Sequence, residues 1–360
     1  MINGREIYKK IENEGYDAAV FFDEISQRYL TGFYTTDGIV LVSKQETALI
    51  TDSRYFEAAS IAKSNGTLLD DVTPYLFSNR LLDSLAEHIE KKGITSLVYD
   101  KTLLTVAQAD RIAEAFPNLK IGGSSNICSE SRRIKSQREI ESIKAAQQIT
   151  DSAFTHILSF IREGVTEIEV AAELEYFARK NGADGMAFDT IAVSGKKSSM
   201  PHGVPSDIEL TKNSFFTMDF GAKYNGYCSD MTRTVVLGKA DGEMKQVYET
   251  VLEAQKKALG VIKSGVTGIE VDAAAREHIY SEGYEGCFGH STGHSLGLEI
   301  HESPSFSSAN KEPVFACTVM SVEPGIYIPG KYGVRIEDII IVTENGCENL
   351  TRSPKQLIEI

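Results

Sequence analysis

Two carboxylates, Asp219 and Asp230, are the most chemically suggestive residues of the chain; they lie in the run FFTMDFGAKYNGYCSDMTRTVVL. Short apolar segments flank each acid, and a turn rich in Gly and Asn separates them, so the pattern predicts a hairpin that brings both carboxylates together. Two buried like charges at close range repel each other unless a proton or a cation lies between them. The pair therefore predicts a buried cation site.

Further ligand candidates lie on strand-like segments later in the chain. They are His294 in GHSLGLEIHE, Glu323 in VMSVEPGIYI and Glu337 in YGVRIEDIIIV. A mostly carboxylate site with one imidazole favours Mn²⁺, Fe²⁺, Co²⁺ or Zn²⁺, and the imidazole disfavours Ca²⁺. Bridging carboxylates typically hold two metal ions about 3.5–4 Å apart. The sequence therefore predicts a site for one or two divalent metal ions.

An internal repeat precedes both groups of acids. GVTEIEVAAELEYFARKNG, which starts at Gly164, aligns with GVTGIEVDAAAREHIYSEG, which starts at Gly265. Both copies contain Thr-x-x-Glu, the pattern of a capping box, so each copy predicts the beginning of a helix.

The same alignment relates the acids to one another. Asp219 corresponds to Glu323, and Asp230 corresponds to Glu337. Two halves of this kind would pack about a pseudo-twofold axis and would each provide two carboxylates to a shared centre. The second half alone would add His294.

Three histidines and one arginine near these segments are candidates for contact with a substrate. A lone histidine in a loop is most often a surface residue, but His202, His290 and His301 surround the metal segments and could act as proton donors or oxyanion stabilisers. The spacing of His290 and His294 occurs in zinc-protease helices, but the surrounding glycines favour a loop that leads into a strand. Arg335 is either an exposed surface residue or a guanidinium that orients a metal ligand or holds a substrate carboxylate.

Composition excludes several classes of protein. The chain has 360 residues, 42% hydrophobic residues and a formal charge of −14, which argues against nucleic acid or an anionic membrane as the main partner. No apolar run approaches the length of a membrane span, and the N-terminus has no signal-peptide pattern. Five scattered cysteines without a Cys-x-x-Cys pair predict neither a disulfide framework nor a thiolate zinc site, and they fit the cytoplasm.

The chain divides into two predicted domains. Residues 1–125 alternate helix-like and strand-like segments, which predicts a small α/β domain. The Gly- and Ser-rich stretch PNLKIGGSSNICSESRRIKS, residues 117–136, is the candidate linker. Residues 126–360 form the second domain, which begins with a long amphipathic helix.

Several motifs together resemble the pita-bread metallopeptidases, the family of aminopeptidase P, prolidase and methionine aminopeptidase. These motifs are FDTIAVSG, MPHG, MDFGAKYNGYCSDMTRT, GHSTGHSLGLEIHE, VEPGIYI and RIED, and the resemblance covers essentially the whole chain. It implies an α/β (α+β) protein, in which an N-terminal creatinase/prolidase-like α/β domain (1–125) precedes a pseudo-twofold pita-bread metallopeptidase catalytic domain (126–360). Methionine aminopeptidases generally lack such an N-terminal domain, and creatinase lacks the carboxylate ligands that this chain has.

The resemblance also implies a role for each metal ligand. Asp219 would bind one metal ion, Asp230 and Glu337 would bridge both ions, and His294 and Glu323 would bind the other.

Further roles concern the substrate. The resemblance implies that Glu323 helps to deprotonate the nucleophilic water, and that His202 and His301 contact the scissile peptide and its developing oxyanion. His290 would be the third histidine of the catalytic set and would line the pocket near the residue after the cut. Arg335 is a candidate for substrate binding.

The function that the resemblance favours is a dinuclear Xaa-Pro aminopeptidase, a hydrolase that removes an N-terminal residue from small proline-containing peptides. The alternatives are a Xaa-Pro dipeptidase (prolidase) and, with less support, a non-catalytic pita-bread binding protein. The expected cofactors are two divalent metal ions, with Mn²⁺ favoured and Co²⁺, Zn²⁺ or Fe²⁺ as alternatives. A cytoplasmic homodimer that binds neither nucleic acid nor membrane is the corresponding expectation.

Overall fold

The computed structural model describes residues 4–77 and 80–360. The chain forms two compact units, residues 1–132 and residues 133–360. Both units combine helices and sheets.

The first unit is built on a six-stranded mixed sheet in the order β4-β3-β2-β1-β5-β6. Strand β2, with the sequence GIVLVS, is buried along its whole length, as expected for a central strand covered on both faces. The strands are β1 Ala18–Phe21, β2 Gly38–Ser43, β3 Thr47–Thr51, β4 Val72–Leu76, β5 Ser96–Asp100 and β6 Lys120–Ser124, and the helices are α1 Gly4–Asn13, α2 Glu24–Thr31, α3 Ser53–Ser64, α4 Leu81–Lys92, α5 Val106–Ala115 and α6 Ser129–Arg132.

The predicted linker at residues 117–136 contains the boundary between the two units, after residue 132, but much of it is regular structure, because strand β6 and helix α6 lie inside it. Strand β6 pairs in parallel with β5 at the edge of the sheet. A Cβ atom on Gly122 would lie 1.9 Å from the hydroxyl of Tyr16. Gly122 therefore permits the close approach of a neighbouring side chain to the edge strand and does not mark a flexible connection.

The second unit contains four long helices, several small sheets and one 3₁₀ helix, Gly195–Ser199. The helices are α7 Gln137–Phe160, α8 Glu167–Lys180, α9 Gly242–Val261 and α10 Gly268–Ser281. The strands are β7 Gly185–Met186, β8 Ile191–Ser194, β9 Ser214–Phe220, β10 Ala222–Tyr224, β11 Tyr227–Cys228, β12 Met231–Leu237, β13 Val266–Thr267, β14 Gly293–Ser295, β15 Glu302–Phe306, β16 Pro313–Val314, β17 Val319–Val322, β18 Gly325–Ile328, β19 Tyr332–Arg335, β20 Asp338–Thr343 and β21 Gly346–Asn349. None of the helices in the described part of the chain combines the length and apolarity that crossing a bilayer requires.

The second unit has the predicted internal repeat. In each half two helices precede three antiparallel strands, β8-β9-β12 in the first half and β14-β17-β20 in the second. Both predicted capping boxes are present, Thr166 with Glu169 at α8 and Thr267 with Glu270 at α10. The apolar faces of both helix pairs pack on these strands and form the two main cores of the unit.

The predicted hairpin between the two aspartates is confirmed. Strands β9 and β12 pair along their whole length, and the β10–β11 turn between them contains Asn225 with φ of 49° and Gly226 with φ of 77°, the backbone conformation of a type I′ turn. A Cβ atom on Gly221 would lie only 1.8 Å from the carbonyl oxygen of Ser229. The two sides of the hairpin therefore approach each other as closely as glycine allows.

This close approach predicts the effect of a methyl group. Gly221→Ala should lower the free energy of unfolding by about 2 kcal/mol or more, because a backbone carbonyl cannot move aside without separating the strands. Urea denaturation measures the change. Gly242→Ala is the matched control, because the added Cβ meets no atom within 4 Å at the first turn of α9. Equal stability of the two variants would contradict the packing of the hairpin.

Candidate metal centre

A cavity of about 470 Å³ in the second unit contains every residue predicted to bind metal or substrate. The strands of the two halves meet there, since the hydroxyl of Thr232 at the start of β12 donates to Glu337, which immediately precedes β20. The predicted residues that line the cavity are His202, Asp219, Asp230, His290, His294, His301, Glu323, Arg335 and Glu337.

The five predicted metal ligands lie within or next to the central strands. Asp219 is part of β9, and Asp230 immediately precedes β12. In the second half Glu323 immediately follows β17, Glu337 immediately precedes β20, and His294 is part of β14. Paired strands restrict the backbone, so the carboxylates are brought together by the sheets and not by mobile loops.

Three of these residues form a group that could hold a metal ion. Single ligand atoms of Asp230, His294 and Glu337 all lie within 4.8 Å of one another. The imidazole Nε2 of His294 is 3.5 Å from Oδ2 of Asp230 and 3.4 Å from Oε1 of Glu323. The imidazole therefore stands between one carboxylate of each half.

Several carboxylate oxygens of the cavity lack a partner in the described protein. They are Oδ1 of Asp219, Oδ1 of Asp230 and Oε1 of Glu337, all of them buried. The other carboxylate oxygen of Asp219 accepts a hydrogen bond from Arg335, and the other carboxylate oxygen of Glu337 accepts one from Thr232. Buried acceptors without a partner are costly, and a divalent cation is the ligand that satisfies several of them at once. The residues present thus fit a metal site.

The raised pKa values of the carboxyl groups also indicate a metal site. Burial and the charge of Glu337 raise the pKa of Asp230 well above its usual range. Burial and the charge of Glu323 raise the pKa of Glu337 well above its usual range, and burial raises the pKa of Glu323 as well. Without a cation these groups favour protonation, and with one they can be ionised together.

His294 is suited to metal binding in its neutral form. Burial lowers its pKa, and its Nδ1 lies 3.2 Å from the carbonyl oxygen of Ser295, to which Nδ1–H can donate. That bond assigns the tautomer and leaves the lone pair of Nε2 directed at the carboxylates.

Arg335 orients two of the predicted metal ligands, so its alternative assignment as a surface residue is wrong. The side chain is buried, with 3% exposure. Its Nη2 donates to Oδ2 of Asp219 at 2.5 Å. Its Nε donates to the hydroxyl of Thr232, which in turn donates to Glu337 at 2.7 Å. One guanidinium thereby holds a carboxylate of each half.

Tyr327, which the sequence did not single out, connects Arg335 to His290. The phenol oxygen accepts from Nη1 of Arg335 at 2.7 Å and lies 2.8 Å from Nε2 of His290, to which it can donate. Nδ1 of His290 lies 2.8 Å from the carbonyl oxygen of Ser291. Burial raises the pKa of Tyr327 to about 12 and lowers that of His290, so both are neutral. A proton transfer from His290 to substrate would require one of these bonds to break.

His202 and His301 have free imidazoles at the mouth of the cavity. Both residues are exposed, and within residues 4–77 and 80–360 neither side chain has a hydrogen-bond partner. The ring of His301 lies 4.4 Å from the ring of His294, edge to face. A single straight strand could not bring these two rings together, but the chain turns after β14 and returns as β15. Burial lowers the pKa of His301, which keeps it neutral near pH 7.

Comparison with known families agrees with this geometry. Residues 141–344 match the model of metallopeptidase family M24, and residues 5–134 match the model of the creatinase/prolidase N-terminal domain. The chain belongs to metallopeptidase family M24. The predicted pita-bread architecture with a creatinase-like N-terminal domain is thereby confirmed, and so is the prediction of a hydrolytic metalloenzyme.

Proteins similar to this chain include relatives named Xaa-Pro dipeptidase and a relative named X-Pro aminopeptidase. An Xaa-Pro dipeptidase structure from Bacillus anthracis is 42% identical, covers 99% of both chains and superposes with a TM-score of 0.93. An X-Pro aminopeptidase structure from Thermotoga maritima is 39% identical, covers 98% of this chain and 100% of its own, and superposes with a TM-score of 0.92. The Xaa-Pro dipeptidase of Pyrococcus furiosus is 45% identical over 65% of this chain and 67% of its own length.

The raised carboxyl pKa values predict how stability depends on pH and metal. Because folding raises the pKa of Asp230, the stability of the metal-free protein is greatest at low pH and falls as pH rises through the folded pKa. Asp230→Asn should therefore raise the thermal midpoint in a chelator at pH 8, by a margin that shrinks towards pH 5. Mn²⁺ should stabilise the unsubstituted protein and have much less effect on the variant.

Thermal melts with and without Mn²⁺ measure both effects. Asp207→Asn, which changes an exposed carboxylate, is the control and should behave like the unsubstituted protein. Equal stabilisation of Asp230→Asn and the unsubstituted protein by Mn²⁺ would contradict the site.

Proposed function

We propose that the protein is a dinuclear metal-dependent Xaa-Pro aminopeptidase, which hydrolyses the bond between an N-terminal residue and proline. Relatives named Xaa-Pro dipeptidase and X-Pro aminopeptidase support proline-containing peptides as substrates. The convergence of all the predicted site residues on one cavity supports hydrolysis at that cavity. We also propose that the protein is cytoplasmic and homodimeric. Its five free cysteines are compatible with a reducing compartment.

The proposed metal ions are two Mn²⁺ ions, with Co²⁺, Zn²⁺ or Fe²⁺ as alternatives. Asp219 would hold one ion, Asp230 and Glu337 would hold both, and His294 and Glu323 would hold the other. The unpartnered oxygens of Asp219, Asp230 and Glu337 support this assignment. When bound, the ions supply Lewis-acid chemistry, which polarises a carbonyl group and makes water more acidic.

The protein's own groups have separate proposed tasks. Glu323, whose Oε1 accepts from the hydroxyl of Ser321 at 3.2 Å, would take the proton of the attacking water, since burial raises its pKa. His202 and His301, which have no hydrogen-bond partner among the described residues, would donate hydrogen bonds to the peptide group and to the oxyanion that develops on it. His290 would form the wall next to the residue that follows the cut.

The charges of the cavity support an aminopeptidase over a dipeptidase. A dipeptidase must accommodate the free carboxylate of proline, and a buried carboxylate needs a cation. Among the described residues that line the cavity, Arg335 is the only lysine or arginine, and its guanidinium already donates to Asp219, Tyr327 and Thr232. The cavity therefore suits a peptide that continues beyond proline better than one that ends there.

The dipeptidase alternative rests on the relatives. Those named Xaa-Pro dipeptidase are 42% and 45% identical over their matched regions, slightly more than the 39% of the named aminopeptidase. A difference of a few per cent in sequence identity supports the dipeptidase less than the charges of the cavity support the aminopeptidase.

Matched substrates distinguish the two activities. With Mn²⁺ supplied, Ala-Pro-NH₂ and Ala-Pro-Gly should be cleaved with a kcat/KM about tenfold or more above that of Ala-Pro, because only the dipeptide has its free carboxylate on proline itself, directly after the cut. Release of free alanine measures each rate. Ala-Ala-NH₂ is the control for proline and should be a poor substrate. Preferential cleavage of Ala-Pro would make the protein a dipeptidase, and cleavage of none would contradict the proposed function.

A further inference from the structure

We propose that Glu167 is a positioning residue whose carboxylate holds both ends of the loop that presents His202 to the cavity. The loop comprises residues 195–205 and is called the His202 loop below. The inference deepens the proposed function, because it depends on His202 contacting the substrate.

The His202 loop forms a large part of the cavity wall. Pro201, His202, Gly203, Val204 and Pro205 all line the cavity, and Val204 is 74% exposed. Beyond the 3₁₀ turn at its start the loop has no regular secondary structure. Its position must therefore depend on bonds to other parts of the protein.

Glu167 provides such bonds at both ends of the loop. Its side chain is fully buried at the first position of α8. Oε1 accepts from the backbone N–H of Ser194 at 2.7 Å and from its hydroxyl at 3.0 Å. Oε2 accepts from the backbone N–H of Ser206 at 3.1 Å, from its hydroxyl at 2.9 Å and from Nζ of Lys197 at 2.8 Å. The residues just before and just after the loop thus meet at one carboxylate.

The internal repeat shows that the capped helix does not itself require this glutamate. The capping glutamates Glu169 and Glu270 occur in both halves. The position that corresponds to Glu167 is Gly268, where a Cβ atom would lie 2.4 Å from the carbonyl oxygen of Ser305. At this position a buried carboxylate is therefore present only in the half that carries the His202 loop.

Two further contacts connect the loop to the metal ligands. Nη1 of Arg335 donates to the carbonyl oxygen of Pro201 at 3.3 Å, and the backbone N–H of Gly333 donates to the hydroxyl of Ser198 at 2.9 Å. Arg335 also holds Asp219. Release of the loop from Glu167 would therefore displace His202 and weaken one support of Arg335.

Release of the His202 loop by substitution of Glu167 should lower the catalytic rate. Glu167→Gln removes the charge that pairs with Lys197 and places an amide group where an oxygen now accepts. A catalytic group displaced by about 1 Å can lose roughly 100-fold in rate. We therefore expect kcat/KM for Ala-Pro-Gly to fall about 10- to 100-fold, mostly in kcat. Glu169→Gln, an exposed glutamate that bonds only to Thr166, should remain within about twofold of the unsubstituted protein.

A double-mutant cycle separates positioning from general destabilisation. In a His202→Ala background, Glu167→Gln should lower kcat/KM less than about threefold further, because the group that it positions is already absent. Ser206→Ala, which removes one hydroxyl from the same carboxylate, should show a smaller loss in the same direction and serves if Glu167→Gln does not fold.

Hydrogen exchange of the Mn²⁺-loaded protein gives a readout that does not depend on activity. Amides of residues 195–206 should exchange faster in Glu167→Gln than in the unsubstituted protein, while the amides of α8 should not change. Unchanged exchange of the loop, or an equal loss of activity with and without His202, would overturn the proposal. If the unsubstituted protein cleaves no Xaa-Pro peptide, the proposed function fails, but the exchange result still decides whether Glu167 holds the loop.

Discussion

Repulsion among buried carboxylates is the constraint on which the second unit depends. Asp219, Asp230, Glu323 and Glu337 converge on one cavity, where Arg335 alone among the described lysines and arginines lines the wall. The guanidinium satisfies one oxygen of Asp219, while three other carboxylate oxygens of the cavity have no hydrogen-bond partner in the described protein. The arrangement is compatible with ionised side chains only when cations are bound, so the metal-binding chemistry of family M24 follows from the charges themselves.

The duplicated fold makes such a concentration of charge possible. Each half places its acids at the ends of paired strands, where the backbone is restricted before any ligand binds. Behind the site the buried Arg233 donates to the backbone carbonyl of Glu337 and to the side chain of Asp338. The carboxylates predicted to bind metal are therefore held in place by the protein itself, and little conformational freedom would have to be lost on metal binding.

Local patterns in the sequence were sufficient to predict the repeat and the acids and histidines that line the cavity, but not the residues that support them. The capping boxes and the hairpin of Asp219 and Asp230 depend on residues close in sequence, and both were predicted correctly. Thr232, Tyr327 and Glu167 were missed, because most of their partners are distant in sequence and a lone Thr, Tyr or Glu has no distinctive pattern. Arg335 stayed ambiguous until its burial was known. The stretch 117–136 contains the boundary between the units, but its strand and helix were not predicted, since glycine marks close packing as well as flexibility.

Anomalous diffraction from crystals grown with Mn²⁺ would show directly whether the buried carboxylates bind two metal ions. We expect two peaks in the cavity about 3.5–4 Å apart. Asp230 and Glu337 should contact both ions, Asp219 should contact one, and His294 and Glu323 should contact the other. A cavity without anomalous density, or peaks bound by other residues, would contradict the account.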